Sequence, residues 1–302
     1  MISFLNFNKP DPQWQEIDAQ IYAGIYANLG GSVTTHPHTI QAMENITQLK
    51  TRYLGRECHG AWRGAIPLWG KYIVGDKRPL KKSGKAHLFD LGNAEVILPL
   101  ATDELFSLKG LKGRLISELN AQNIVPCKKH KETLSFARSI TKKDFSAKFR
   151  YNRRRELAKF TEDGGEVIPF SDLSKEEIAA YYINLFSLRW GKKPKGHELL
   201  PEFLTLISPL LQGNLLVMHA QPVAIQLLYM VSSVVGVSVE YINGGVDPAF
   251  REYSPGSILS FINIQHAEHV ATQAGVPLRF SFGLSDNEYK EVWCNRHPIY
   301  RC

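Results

Sequence analysis

The stretch from Phe203 to Val239 contains no Asp, Glu, Lys or Arg, and it limits the fold more than any other part of the chain. A membrane-spanning helix needs about twenty continuous apolar residues. Here Ser208-Pro209, Gln212-Gly213-Asn214, Gln221-Pro222 and Ser232-Ser233 cut the run into strand-sized pieces, at places where turns fall. The spacing predicts three successive strands, 214–220, 223–230 and 235–242, joined by tight turns.

The last of these leads into a strand, a loop of turn residues and a strongly marked helix start. Val237, Val239 and Tyr241 alternate with Ser238, Glu240 and Ile242, as on a largely buried strand. Asn243-Gly244-Gly245 ends it, because these residues tolerate positive φ. Ser254 is placed to be an N-cap, Pro255 sits at the first helical position and Gly256 keeps the next turn bare. Ile258, Leu259, Phe261, Ile262 and Val270 give that helix an apolar face. A bare helix start presents N–H groups at the positive dipole end, where a phosphate or pyrophosphate is held. The same residues also describe an ordinary capped helix with nothing bound.

Composition narrows the classes. The chain has 302 residues, enough for two cores, with 44% hydrophobic and 22% charged residues, as in folded soluble proteins. Its formal net charge of +7 points to an anionic partner: nucleic acid, a nucleotide cofactor or an anionic membrane surface. Cys58, Cys127, Cys294 and Cys302 form no CxxC or close Cys/His pairing, so neither zinc nor a disulfide framework is indicated, and reduced thiols in the cytoplasm fit. Met1–Pro10 lacks the basic and apolar regions of a secretory signal.

Before Phe203 the pattern is mixed. Helices are expected over 14–27 and after Pro37, strands over 51–54, 58–67, 69–74, 87–91 and 95–100, and a helix over 111–122. Asp76 to Lys85 reads as a basic loop, either solvated or partner-binding. Lys128 to Lys159 carries twelve Lys and Arg against three acidic residues. Thr141, with Asp144 three positions on, is expected to cap a helix over 142–161. On it Arg153-Arg154-Arg155 would grip phosphates or form a solvated face. Gly164-Gly165 stops that helix, and a short strand follows over 166–170. Ser174-Lys-Glu-Glu177 is a capping box opening a helix over 178–190. A helix over 201–211, a strand over 278–283 and a short helix over 287–293 complete the order.

Helix, helix, three antiparallel strands, phosphate-presenting helix, strand and helix is an order that resembles the Gcn5-related N-acetyltransferase (GNAT) fold. In that fold an Arg/Gln-x-x-Gly-x-Gly/Ala loop holds the pyrophosphate of coenzyme A, and this chain offers Arg251-Glu-Tyr-Ser254-Pro-Gly256-Ser257. Asn243-Gly-Gly-Val-Asp-Pro, Ser254-Pro-Gly-Ser and Phe282-Gly-Leu-Ser-Asp-Asn-Glu-Tyr-Lys-Glu-Val-Trp look like the branch that holds the FemAB aminoacyltransferases and the cellulose-biosynthesis-type acetyltransferases. There two GNAT-like units are fused. Within it the chain most resembles the Mig family of macrophage-inducible proteins (its fourteenth-numbered member), linked to antimicrobial-peptide resistance in Gram-negative bacteria.

The resemblance implies an α/β protein of two tandem GNAT-like units, residues 1–135 and 136–302, each a mixed, mostly antiparallel sheet flanked by helices. It implies N-acyl transfer from acetyl-CoA or another acyl-CoA to an amine acceptor, with aminoacyl-tRNA as the competing donor. Such a chain is cytoplasmic, or peripheral at an anionic inner membrane. A non-catalytic binder at that membrane or on nucleic acid is the reading from a different class.

Acyl transfer needs a base for the ammonium proton, a donor for the oxyanion and a groove for the carrier. Glu240 is the candidate base if burial raises its pKa; a solvent-facing strand carboxylate is the alternative. Tyr289 would protonate a leaving thiolate, and Lys290 would hold an anionic substrate, as the Tyr-Lys pair is thought to do in FemAB-like enzymes. Asp286 lies beside them. Simple packing of Tyr289 on Trp293 at i, i+4 is the bland account. Arg251, Ser254, Gly256 and Ser257 are the expected cofactor contacts. No metal is expected: His266 and His269 share one helix without further ligands, and His36 and His38 lie in a loop.

Overall fold

The computed structural model describes residues 13–85, 91–141 and 144–302. Short elements dominate its first part. They are β1 (Gln15–Ile17), α1 (Ala19–Leu29), α2 (Pro37–Thr47), β2 (Arg52–Cys58), β3 (Ala61–Trp69), β4 (Tyr72–Ile73), α3 (Lys77–Lys82), β5 (Phe106–Ser107), β6 (Ile116–Ser117), α4 (Glu118–Ala121) and β7 (Ile124–Val125). The strand β8 (Lys128–Ala137) leads to longer ones: α5 (Ala147–Glu162), β9 (Gly165–Pro169), α6 (Lys175–Trp190), α7 (Leu200–Leu206), β10 (Leu211–Gln212), β11 (Asn214–Met218), β12 (Gln221–Ser233) and β13 (Gly236–Val246). Then come α8 (Pro255–Ala274), β14 (Leu278–Leu284), α9 (Tyr289–Trp293) and β15 (Cys294–Arg301).

The uncharged run folds as three antiparallel strands. β11 turns into β12 at His219-Ala220, both in the left-handed region, with the hand that suits a two-residue hairpin. The turn therefore precedes Gln221-Pro222, which open β12. These strands centre a nine-stranded sheet in the order β6-β15-β8-β14-β13-β12-β11-β9, with β10 also on β12. Among its described pairs only β13–β14 is parallel. A separate four-stranded sheet, β1-β2-β3-β4, carries the first part. The fold is thus mixed α/β with mostly antiparallel sheets, as expected. The position 135/136 falls inside β8, which lies between β15 and β14.

The halves share a core. Tyr22, Ile25, Ile40 and Met43 of α1 and α2 pack in one cluster with Leu185, Phe203, Leu227 and Tyr229 of the second part. On the opposite face of the large sheet, Val237 and Val239 meet Phe261 and Ile264 of α8.

Several local expectations are corrected. The first helix starts at Ala19 with Asp18 as N-cap, because Gln15–Ile17 pair with β2. The first hairpin turns at His59-Gly60, so Gly55 lies within a strand. The basic loop contains the short α3, whose N-cap Asp76 also grips Arg78. Residues 95–100 make only isolated bridges at Val96 and Leu100. Over 111–122 only Glu118–Ala121 is helical: Leu115 has φ 58° and Ile116–Ser117 pair with β15. The expected strand at 87–91 lies mostly outside the described residues, and Leu91 begins a 3-10 turn.

The cap of α5 is Ser146, not Thr141. Asp144 instead accepts the Ser139 N–H, and Glu268 of α8 takes those of Ile140 and Thr141. The predicted helix over 201–211 stops at Leu206 and resumes as a 3-10 turn at Ser208. β15 was not expected from the sequence. Ser174 and Glu177 form the predicted capping box, and Gly191 closes α6 in the left-handed region.

Candidate active site

β13 and β14 run in parallel register from Val237/Leu278 only to Glu240/Ser281. Beyond that point β13 stays with β12, β14 leans to β8, and a cleft opens between them. Leu227 and Leu228 of β12 face Asn243 and Tyr241, so Ile242 is an extra residue in β13, a bulge of the kind that re-aims neighbouring side chains.

Two chambers occupy the cleft. One, of about 300 Å³, is lined by Glu240, Asp286, Tyr289 and Lys290, all four predicted catalytic residues, with Asn93 and Ala94 from the first part. The other, of about 510 Å³, is lined by Arg251, Ser254, Gly256 and Ser257, all four predicted carrier contacts. Arg189, Tyr241, Phe282 and Tyr289 line both and form the seam.

Glu240 is 2% exposed, so its face of the strand is not wet. The first part covers it: Glu240 Oε1 accepts the Glu95 N–H at 2.9 Å, and Ser238 Oγ accepts that of Val33 at 3.3 Å. Burial pushes the Glu240 carboxyl well above the usual carboxylate range, opposed by the hydrogen bonds from Glu95 N–H and Ser281. Beside it lies an ion network. Arg279 Nε and Nη2 donate to the Glu95 carboxylate at 2.8 and 2.5 Å, Arg279 also reaches Glu118 at 3.4 Å, and His297 bonds Glu118 at 2.8 Å. The guanidinium lies 4.3 Å above the Phe136 ring.

Lys290 is buried, and its Nζ donates to the Leu284 carbonyl at 2.6 Å and to Asp286 Oδ1 at 2.7 Å. The pair is a fixed charge unit on the chamber wall. Tyr289 stands at the seam, 43% exposed, its phenol raised above the ordinary tyrosine range first by burial and then by Tyr241. Trp293 at i+4 is buried against Phe145 and Phe149 rather than merely paired with Tyr289.

The helix start differs from the expected cap. Ser254 has φ 54° and ψ 47° and makes no side-chain cap. Its carbonyl instead accepts the Ser257 N–H at 2.8 Å and the Ile258 N–H at 3.1 Å. With Pro255 lacking an N–H, Gly256 is left with the N–H that has no acceptor among the described residues. The left-handed Ser254 occupies the place of the pattern's first Gly, where a residue without Cβ sits without strain. A Cβ on Gly256 would meet only Val246, at 3.8 Å. Gln226 Nε2 donates to the Gly256 carbonyl at 3.3 Å and to Ser260 Oγ at 3.0 Å, fixing the turn from below.

Of the arginine triplet on α5, Arg153 is turned back onto Glu156 (2.5 Å) and the Phe149 ring, leaving Arg154 and Arg155 exposed. His266 and His269 are exposed, and among the described residues no group of three or more His, Cys, Asp and Glu could hold a metal. No helix among them is long and apolar enough to cross a membrane. Sequence reading missed Arg189, Tyr241, Glu95 and Arg279. Tyr241 was legible as a buried strand residue, whereas the Glu95–Arg279 pair spans 184 positions with no local signal.

The fold matches solved structures along nearly the full length. "Crystal structure of FemX" has a TM-score of 0.59 at 10% identity, covering 95% of this chain and 96% of that one. "The structure of L-PGS from Bacillus licheniformis" has 0.51 at 14%, covering 98% and 92%. At such identities the likeness establishes the fold, a tandem GNAT-like architecture. Residues 36–302 match the Mig-14 family model, and the chain belongs to that family. Among curated proteins no relative matches the sequence.

Proposed function

We propose that this protein is an N-acyltransferase that moves an acyl group from a coenzyme A thioester to an amine, with donor and acceptor meeting at the seam of the β13–β14 cleft. The observation that carries this reading is the placement of the two predicted residue sets in two chambers sharing Tyr289. Among the described residues the carrier chamber is lined by Arg189 and Arg251 and by no carboxylate, and it includes the bare Gly256, which suits a phosphate-bearing carrier.

In the step itself the amine nitrogen attacks the thioester carbon, the carbon–sulfur bond breaks, and the nitrogen's proton passes to Glu240. Tyr289, whose phenol keeps its proton into the alkaline range, donates a hydrogen bond to the departing sulfur. The Asp286–Lys290 unit orients the acceptor. Because Glu240 must be ionised to accept a proton, turnover climbs with pH, and its acidic limb lies well above the ordinary carboxylate value.

Calorimetry with acetyl-CoA and CoA tests the donor. Binding by the full chain and its loss in Gly256→Asp, which sets a carboxylate against the phosphates, is the expected result. Absence of heat at millimolar ligand in folded protein sinks this donor. Mass spectrometry of lipid and peptidoglycan fractions, with and without the protein, identifies the acceptor. On it Glu240→Gln lowers turnover about a hundredfold with little change in donor affinity. Retained turnover in that variant moves the base to Tyr289 or Asp286. Acylation of an envelope amine would account for the antimicrobial-peptide resistance that the family resemblance implies.

One observation favours aminoacyl-tRNA as donor instead. The Ser257 and Ile258 N–H groups are already spent on Ser254, so the helix start offers a pyrophosphate little beyond Gly256, while Arg154 and Arg155 stand free for a nucleic-acid backbone. Steep salt dependence of tRNA binding, absent for unrelated acidic polymers, supports that donor.

A further inference from the structure

A second concave site lies on the far side of β8 from the cleft, with a volume of about 750 Å³. Lys71, Arg78, Lys112, Lys128 and Arg301 line it, with Arg114 and His130. Lys128 is six residues along β8 from Leu134, which pairs with Leu284 at the cleft. At about 3.3 Å per residue that places the site roughly 20 Å away.

Main-chain pairing forces these charges together. Lys128 and Arg301 stand directly opposite each other in the β8–β15 ladder, a like-charge pair that costs stability. Lys112 N–H donates to the Lys71 carbonyl at 2.9 Å, bringing their side chains to one rim. His130, two residues from Lys128, shares its face.

Local carboxylates offset only part of this. Asp76 holds Arg78 in a bidentate pair, and Glu132 takes Arg114 at 2.9 Å and reaches His130 at 3.4 Å. Arg78 stays 41% exposed while Asp76 is fully covered, so the guanidinium is fixed yet accessible, and it stacks 4.5 Å over Tyr72. Among the described residues Lys71, Lys112, Lys128 and Arg301 have no carboxylate partner. Even with a carboxylate counted at Cys302, the site keeps a surplus of positive charge. A converging, partly rigid set of Lys and Arg in a concavity matches several phosphate oxygens held at once.

We propose that this pocket is an anion-binding site for a ligand bearing two or more closely spaced phosphates, separate from the carrier chamber. The chemistry is shared by soluble diphosphates and by adjacent phosphomonoester headgroups crowded at a membrane surface.

The test uses the full chain and inorganic pyrophosphate in calorimetry at two salt concentrations, with parallel flotation on phosphatidate and phosphatidylglycerol vesicles. Saturable pyrophosphate binding, weakened at least about tenfold in Lys128→Glu and in Arg301→Glu and unchanged in Arg154→Glu, is the expected result. A conservative variant guards against misfolding: Lys128→Thr removes the cross-strand repulsion, so its Tm without ligand is at or above the parent's while pyrophosphate affinity falls. Recruitment to phosphatidate over phosphatidylglycerol assigns a headgroup source; pyrophosphate binding without recruitment assigns a soluble one. Neither binding nor recruitment, or binding that survives both charge reversals, overturns the proposal. Loss of binding in Gly256→Asp instead would place the ligand in the carrier chamber and also overturn it.

Discussion

The second part of the chain and the first obtain their structures in opposite ways. From Gly165 to the end of α8 the elements are mostly long and locally marked: α6 has its capping box and glycine stop, and β11 to β13 form a meander. Before β8 the strands are mostly brief, several segments make single bridges or 3-10 turns, and positions are set by remote partners. Those partners lie on the strand that carries the site: Ser238 takes the Val33 N–H and Glu240 takes that of Glu95. The first part therefore owes its shape to the second, and the second owes it the burial of Glu240.

The most severe way to break this relation is Phe203→Ala, in the core common to both halves. It should cost about 3–5 kcal/mol and shift one shared unfolding transition. Two separate transitions, with only one displaced, would show the halves to be independent.

Next is Glu95→Gln, which leaves Arg279 buried without its main counter-charge. A loss of about 3 kcal/mol is expected. Hydrogen exchange should rise first around residues 32–35 and 94–97, while β11 and β12 stay protected. Uniform loss of protection would contradict the asymmetry.

A smaller effect comes from pH. Between the ordinary carboxylate value and the raised value of Glu240, the folded chain binds more protons than the unfolded one. This group's contribution is thus fully present below the ordinary value and lost as pH rises toward the raised one. Parent and Glu240→Gln melting temperatures, compared from pH 4 to 8, should diverge in the variant's favour as pH rises; parallel curves would refute the linkage.

The slightest change is Tyr229→Phe. The buried hydroxyl has no hydrogen-bond partner among the described residues, so its removal should raise stability by up to about 1 kcal/mol in denaturant titration. A measured loss would reveal a partner.

Legibility follows the same division. Ser174 to Trp190, the presence of the three strands and the helix start at Pro255 were readable from local signals, whereas the turns were not: Gln221-Pro222 open β12, and β13 runs through Asn243-Gly244-Gly245 to Val246. The segment 111–122 was not: its apolar spacing suited a helix, but pairing of Ile116 and Ser117 with β15 overrode it. β15 itself was hidden because Pro298 argues against a strand, and only the ladder with β8 reveals one. At the site both residue sets were visible as local motifs. Their seam at Arg189, and the Glu95–Arg279 network behind Glu240, arise from remote contacts that periodicity does not encode.

The position of β8 also bears on how the chain emerges during synthesis. It is made before α5 to α8, yet both its neighbours in the sheet, β14 and β15, come from the final stretch. Until they appear, β8 and the free flank of β13 are unpaired edges able to capture strands from other nascent chains. The sheet thus closes late, through contacts far apart along the chain, and crowded translation is when this protein is most exposed to misassembly.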